Sequence, residues 1–198
     1  MVERLSERIV QWLIKNEVIC EEERELYKYA TFNRIFTLLP FLMIVPFCYV
    51  TGTIINGIVV CVTFLALRRY AGGYHAKTPM KCWLYSSFFM MVLIYGTTII
   101  ENNSTILAFV SIAVGSICFF SPIDSENRRL DVSEKKRYRT YSRCIALVHF
   151  VFYVVLSILS KNALAIMFAT GIMFASVLQF IGLLEQYLSE HYSHIREK

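Results

Sequence analysis

A histidine and a cysteine lie seven residues apart in a short basic segment between two apolar stretches. The segment reads Arg68-Arg69-Tyr70-Ala71-Gly72-Gly73-Tyr74-His75-Ala76-Lys77-Thr78-Pro79-Met80-Lys81, and Cys82 follows it. Thr78-Pro79 is a helix-start signal, so Cys82 is predicted in or just after the first helical turn. The positive end of the helix dipole and the neighbouring Lys81 both favour the thiolate, the form of cysteine that attacks carbonyl carbons.

The position of His75 decides whether this thiol has a base. On one unbroken helix, seven residues would separate His75 from Cys82 by ~10.5 Å, too far for direct proton exchange. Pro79 argues against such a helix, and Gly72-Gly73 supplies a flexible turn. A loop that folds back can therefore bring the imidazole to the sulfur as a Cys–His dyad. The alternative is an ordinary loop histidine beside a cysteine in a capping turn.

The charge distribution shows what kind of chain must position this loop. The protein has 198 residues, of which 56% are hydrophobic and 18% are charged. Five stretches contain no Asp, Glu, Lys or Arg and together hold 114 residues: 35–67, 82–100, 102–123, 144–160 and 162–184. A soluble domain keeps charge on every exposed face, whereas a bilayer requires uncharged runs of ~17–25 residues. This pattern excludes a soluble enzyme, a disordered chain and a nucleic-acid-binding domain.

The sequence predicts an all-α, polytopic membrane bundle in a single domain, 1–198. The stretch 35–67 is too long for one crossing, and Pro40, Pro46 and Gly52 divide it. Six spans follow, near 35–50, 54–67, 82–100, 104–120, 144–160 and 163–184. Nineteen of the twenty Lys and Arg residues then lie on one side, which makes both termini cytoplasmic. The net charge of +5 thus reflects topology and gives no reason to expect nucleic acid as a partner.

Two smaller signals concern the ends of the chain. In the N-terminal segment 1–34, Val2, Leu5, Ile9 and Trp12 recur at helical spacing, which predicts an amphipathic interfacial helix. A solvated cytoplasmic arm is the alternative. In the last span, Gly171-xxx-Ala175 is a small-xxx-small pair of the kind that lets helices approach closely.

The loop pattern has a known counterpart. Arg-Arg-Tyr-Ala-Gly-Gly-Tyr-His-Ala, with Cys seven residues after the His, resembles the accessory gene regulator B (AgrB) family, as does Ser121-Pro122-Ile123-Asp124-Ser125-Glu126-Asn127-Arg128. Members are membrane-embedded cysteine endopeptidases that process quorum-sensing pheromone precursors in Gram-positive bacteria. The resemblance implies that His75 is the general base and Cys82 the nucleophile. It further implies an acyl-enzyme thioester, which an internal Cys or Ser of the peptide displaces to close a thiolactone or lactone ring.

The resemblance also implies roles for other residues, and it implies no metal and no cofactor. Arg68 would hold the acidic tail of the precursor, and Gly73 would set the backbone of the loop. Asp124 is either a third residue that orients His75 or a cap of the turn after Pro122. The full set of substrate-binding candidates is Arg68, Arg69, Gly73, Lys77, Lys81, Lys135, Lys136, Arg137 and Arg139. Membrane anchoring by positive charge and binding of anionic lipid are the alternative roles of these cations.

The expected partners are a precursor peptide with an amphipathic leader and an acidic C-terminal tail, anionic membrane lipids, and a second copy in a homodimer. The expected location is the bacterial cell membrane, with the active site at the cytoplasmic face. The alternative function is a small peptide exporter, or a scaffold that binds the leader without cleaving it. An exporter needs polar groups along several spans, and these spans offer little beyond His149, Gln179 and scattered Ser and Thr.

Overall fold

A computed structural model describes residues 2–74, 78–123 and 131–196. In these ranges the regular structure is helical. A short 3-10 turn at Glu21–Glu23 accompanies the α-helices, which are α1 Val2–Lys15, α2 Arg24–Leu38, α3 Phe41–Thr51, α4 Ile54–Ala71, α5 Pro79–Gly96, α6 Ser104–Phe120, α7 Val132–Ile158 and α8 Asn162–Arg196. The all-α prediction is therefore confirmed for the part of the chain that the structure describes.

Each predicted span coincides with helix. Four segments are long and apolar enough to cross a membrane: Glu21–Thr51, Ile54–Ala71, Val132–Ile158 and Asn162–Leu188. The helices at Met80–Gly96 and Ser104–Phe120 are apolar but shorter. This composition is consistent with a helical membrane protein, while six crossings with both termini in the cytoplasm stay a prediction.

The outward faces of the helices are as apolar as the inward ones. Leu42 is 74% exposed, Ile58 58%, Ile112 68% and Val151 58%. Contiguous apolar surface of this extent is rare on soluble monomers, because water penalises it. Lipid tails impose no such penalty, so the exposed aliphatic side chains match a bilayer as the solvent.

The first predicted span differs from the structure in its boundaries. Helix α2 begins at Arg24, well before the predicted start at residue 35, and it ends at Leu38. The chain resumes helix at Phe41 after Pro40. Arg24, Lys28 and Arg34 placed this segment outside the predicted span, but Arg and Lys are good helix formers, so the helix begins before the uncharged run does.

The spans predicted near 104–120 and 144–160 leave 121–143 as a basic loop between them, and the structure shows that the loop prediction is wrong for the second half of this segment. Helix α7 already begins at Val132. Asp131 occupies the N-cap position, and the carboxylate of Glu134 accepts a hydrogen bond from its backbone N–H at 3.3 Å. This capping box starts the helix twelve residues before the uncharged run that defined the predicted span.

Helix α8 lies at the centre of the bundle and packs against α4, α6 and α7. Gly171 permits the closest approach, since a Cβ atom there would lie 2.7 Å from the Cβ of Thr63 on α4 and 3.1 Å from the carbonyl oxygen of Val60. The Gly171-xxx-Ala175 signal thus serves packing within the chain. Ala165, Ala169 and Ala175 are fully or almost fully buried on the same helix.

The bundle has two ends of different construction. At the turn end, short connections join α3 to α4, α5 to α6 and α7 to α8. A hydrogen-bonded network closes it: the hydroxyl of Tyr153 donates to Asn102 Oδ1 at 2.8 Å, and Asn102 Nδ2 donates to Ser157 Oγ at 2.9 Å and to Asn162 Oδ1 at 3.2 Å. The loop end carries the α4–α5 and α6–α7 connections, and the predicted catalytic segment runs through the first of them.

Candidate active site

Cys82 lies in the first turn of α5, as the helix-start signal predicts. Thr78 is the N-cap in extended conformation and Pro79 is the first helical residue. The backbone N–H of Cys82 donates to the carbonyl of Thr78 at 3.1 Å. The side chain of Cys82 is half-buried, and Lys81 beside it is exposed. The sulfur is thus held at the positive end of a helix while remaining accessible from the loop end.

Arg68, in the last turn of α4, holds the loop that leads to Cys82. Its guanidinium donates to the backbone carbonyls of Gly72 and Tyr74. Arg68 thus lies at the end of the helix that enters the loop, and Cys82 lies at the start of the helix that leaves it. The resemblance implies that Arg68 holds the precursor's tail; the structure shows one bond from each terminal nitrogen to the loop, and the tail-binding role stays a prediction.

Two glycines clamp the loop against α8. Gly73 has φ +123°, and a Cβ atom there would lie 2.8 Å from the carbonyl oxygen of Leu178. From the opposite side, a Cβ atom on Gly182 would lie 2.6 Å from the backbone nitrogen of Tyr74. That nitrogen donates to the carbonyl of Leu178 at 2.9 Å. The backbone leading to residue 75 is therefore fastened to α8 through contacts that side chains would disrupt.

The α6–α7 connection is fastened to the same place. Gly72 and Ile123 form an isolated parallel bridge, in which the N–H of Ile123 donates to the carbonyl of Ala71 at 3.0 Å. Gln179 on α8 donates from Nε2 to the hydroxyl of Ser121 at 2.9 Å. One turn of α8 thus organises both loops of the loop end.

Two buried polar atoms at this end have no hydrogen-bond partner within the part of the chain that the structure describes. Gln179 is 1% exposed, and its Oε1 accepts no hydrogen bond from any described residue. The indole Nε1 of Trp83, next to Cys82, likewise finds no acceptor in the described ranges. An unsatisfied buried polar group costs about 1–3 kcal/mol, so such groups are rare unless function requires them. In the sequence, Gln179 stands out only as an amide in the interior of an uncharged run of 23 residues.

The cations predicted to bind substrate differ in their exposure and in their contacts with the rest of the bundle. Arg139 donates from Nε to the carbonyl of Ser121 at 3.2 Å, so it braces the end of α6. Lys136 and Arg137 are exposed near the start of α7, whereas Lys135 is half-buried. Two further candidates, at either end of the segment before Cys82, are also exposed: Lys81, and Arg69, whose guanidinium carbon lies 5.5 Å from the ring centre of Tyr70.

Three of the predicted site residues, His75, Lys77 and Asp124, lie outside the described residues. The Cys–His dyad and the third-residue role of Asp124 therefore stay predictions. Within the described ranges, no group of three or more His, Cys, Asp or Glu side chains is arranged to hold a metal ion.

Comparison with known proteins agrees with the membrane architecture. The sequence model of the Accessory gene regulator B family matches residues 6–183. An AgrB-like protein of Listeria innocua is 27% identical over 185 residues, which cover 90% of this chain and 86% of that protein. AgrB-like protein 2 of Clostridium perfringens strain 13 is 23% identical over 167 residues, or 80% of this chain and 78% of that protein. No solved structure matches the chain.

The long apolar helices and the clamped cysteine loop define a helical membrane protein with a thiol at one end of its bundle. The family match covers most of the sequence, including both loops of that end. The chain belongs to the accessory gene regulator B family.

Proposed function

We propose that this protein is a membrane cysteine endopeptidase that removes the C-terminal tail of a quorum-sensing pheromone precursor. The observation that carries the proposal is the position of Cys82: a half-buried residue in the first turn of α5, at the end of a loop that the cation Arg68 holds by two hydrogen bonds. A nearby cation and a helix N-terminus are the two features that typically make a cysteine nucleophilic. Membership of the family supports the substrate class.

In the first step, His75 accepts the proton of the Cys82 thiol, and the thiolate attacks the carbonyl carbon at the boundary between peptide and tail. The C–N bond then breaks. The tail departs as an amine that takes the proton from His75, and the upstream fragment remains on Cys82 as a thioester.

In the second step, a thiol or hydroxyl within the bound fragment attacks that thioester. Cys82 leaves as a thiol, and the fragment becomes a thiolactone or lactone ring. With an attacking thiol, one thioester replaces another, so the exchange needs no ATP provided that water is excluded. The half-burial of Cys82 among loop and helix backbone supports such exclusion.

The contacts of Arg68 lead us to revise the role suggested by the sequence. Its guanidinium is engaged with the carbonyls of Gly72 and Tyr74, so we propose that it shapes the loop and supplies positive charge beside the sulfur. The acidic tail of the precursor is then left to the exposed cations, of which Lys136 and Arg137 are adjacent on α7.

The test is cleavage by the purified protein in liposomes, with candidate precursor peptides added and tail release followed by mass spectrometry. Cys82→Ala and His75→Ala should each abolish release. Cys144→Ala is the matched control, because Cys144 is an exposed cysteine at the same end of the bundle, on α7, and should leave release unchanged. Tail release by the Cys82→Ala variant would end the proposal.

The same preparation separates the alternative functions. A scaffold would bind the precursor without tail release, and a mild thiol reagent would modify Cys82 no faster than Cys144. An exporter would deliver uncleaved peptide to the opposite side of the vesicle membrane. The peptidase instead requires selective modification of Cys82 at neutral pH and loss of that modification when precursor is bound.

A further inference from the structure

Helix α1 is held in one rotational setting against α2. Ser6 and Val10 are buried where the two helices meet. The carboxylate of Glu7 on α1 forms ion pairs with two cations of α2: its Oε1 lies 2.5 Å from Arg24 and its Oε2 lies 3.1 Å from Lys28. These contacts fix which faces of α1 are covered and which are left outside.

One uncovered face of α1 is apolar. Leu5 is 47% exposed, Ile9 36% and Trp12 60%. Their spacing of four and three residues puts them in one stripe along the helix. Three of the seven large apolar side chains of α1 are therefore exposed in the structure.

Charge is distributed unequally around that stripe. Arg4, Arg8 and Lys15 are exposed and share the neighbouring stripe, since they lie at spacings of four and seven residues. The acidic residues Glu3 and Glu7 lie on the other side, toward α2. The exposed apolar stripe thus has a basic border, whereas the acidic positions are turned away from it.

We propose that α1 lies in the plane of the membrane surface and binds anionic phospholipid. Leu5, Ile9 and Trp12 enter the boundary between headgroups and acyl chains, and Arg4, Arg8 and Lys15 bind lipid phosphates. An apolar stripe with basic borders and an interfacial tryptophan is the arrangement that such surfaces select. The chain continues into the candidate span Glu21–Thr51, which contains α2 and α3, so a bilayer crossed by that span would lie close to α1. This proposal does not depend on the peptidase activity.

The chain contains two tryptophans, Trp12 and Trp83, which makes the test direct. The full-length Trp83→Phe variant, reconstituted in vesicles of phosphatidylcholine and phosphatidylglycerol, reports on Trp12 alone. Lipids brominated near the carbonyl end of the acyl chain should quench Trp12 more strongly than lipids brominated near the methyl end. Replacing Arg4, Arg8 and Lys15 by Gln should weaken the attachment by about five-fold per charge and reduce this quenching.

The Trp12→Phe variant is the control, because Trp83 belongs to the bundle and its quenching should not respond to the three Gln substitutions. Trp12 fluorescence that is insensitive to bromolipid and fully open to acrylamide would overturn the proposal. Protection of Trp12 that appears only after an amphipathic peptide is added would overturn it as well, because the stripe would then bind peptide.

Discussion

The turn end and the loop end of the bundle use polar residues in opposite ways. At the turn end, the buried hydroxyl of Tyr153 and both polar atoms of the Asn102 amide are hydrogen-bonded, and the connections are short. At the loop end, Gln179 Oε1 and Trp83 Nε1 have no hydrogen-bond partner among the described residues. The guanidinium of Arg68 donates to two backbone carbonyls of the loop. A satisfied network contributes stability, whereas unpaired groups cost stability and are kept where a reaction needs them.

This contrast predicts that substitutions separate by location. Changes at the loop end should lower activity more than stability, and changes at the turn end should do the reverse. The following variants test the separation in order of expected effect.

Arg68→Gln should give the largest loss, on the order of 100-fold or more in cleavage rate, because it removes both the positive charge and the hydrogen bonds that hold the loop. This loss corresponds to an increase of about 3 kcal/mol in the activation free energy. Arg68→Lys restores the charge beside Cys82 but lacks a planar fork that can reach two carbonyls, so it should recover only part of the rate. The measurement is tail release in liposomes, with Arg69→Gln as the exposed control. Full activity of the Arg68→Gln variant would contradict the proposal that Arg68 shapes the cysteine loop.

Gly182→Ala should lower cleavage by about 10- to 100-fold, because its Cβ would lie 2.6 Å from the Tyr74 nitrogen and 2.7 Å from the carbonyl carbon of Gly73. The loop would have to move away from α8. Gly115→Ala is the matched control, since a Cβ there meets no atom within 4 Å. Equal activities of the two variants would show that the loop tolerates displacement.

Gln179→Met should reduce cleavage about ten-fold while changing the free energy of unfolding by less than about 1 kcal/mol. The substitution removes the hydrogen bond to Ser121, but it also removes the unpaired buried oxygen. Ser121→Ala removes only the hydrogen bond and should therefore be the more destabilising of the two. Thermal unfolding and tail release are measured on the same samples. A strongly destabilised Gln179→Met variant would show that Gln179 contributes mainly to stability and would contradict this prediction.

Asn102→Ala should lower the free energy of unfolding by about 1–3 kcal/mol, because it removes the Tyr153, Ser157 and Asn162 hydrogen bonds of the Asn102 amide. Tail release per folded molecule should stay within about two-fold of the unsubstituted protein. Thr98→Ala is the control at the same end, since Thr98 bonds only to its own helix. If Asn102→Ala lost activity without losing stability, the turn end would behave like the loop end, and the predicted difference between the two ends would be wrong.

The smallest expected effect is a pH dependence of the α1–α2 hairpin. Hydrogen bonds from Arg24 and Lys28 hold the pKa of the Glu7 carboxyl below its ordinary value. A carboxyl with a lowered folded-state pKa stabilises the hairpin above its unfolded pKa, and this stabilisation disappears as the pH falls through the folded pKa. Trp12 fluorescence of the Trp83→Phe variant should change in acid, and the added Glu7→Gln substitution should abolish that change.

The sequence predicted most of what is local. Charge-free runs located the helices, and Thr78-Pro79 located the start of α5, because both signals depend on neighbouring residues. The start of α7 was missed although Asp131 and Glu134 form a capping box, since basic residues around Lys136 suggested a loop. Charge decides where a helix leaves the membrane, but it does not decide where the helix ends.

The clamp around the cysteine loop could not be predicted in the same way. It joins Gly73 to Gln179 and Gly182, and Gly72 to Ile123, across sequence separations that no periodic pattern encodes. A glycine in an apolar span has the same sequence signal whether it meets a neighbouring helix, as Gly171 does, or a loop, as Gly182 does. Only the packing of α8 shows the difference.

The central claim is that Cys82 is the nucleophile at the loop end, and its covalent intermediate tests it most directly. A precursor peptide whose internal ring-closing residue is replaced by Ala cannot displace the thioester, so the adduct should accumulate. Intact-protein mass spectrometry after incubation in liposomes should then show the protein plus the tail-less fragment, mapped to Cys82 and released by hydroxylamine. Tail release without any adduct on Cys82, or an adduct on another residue, would contradict the account.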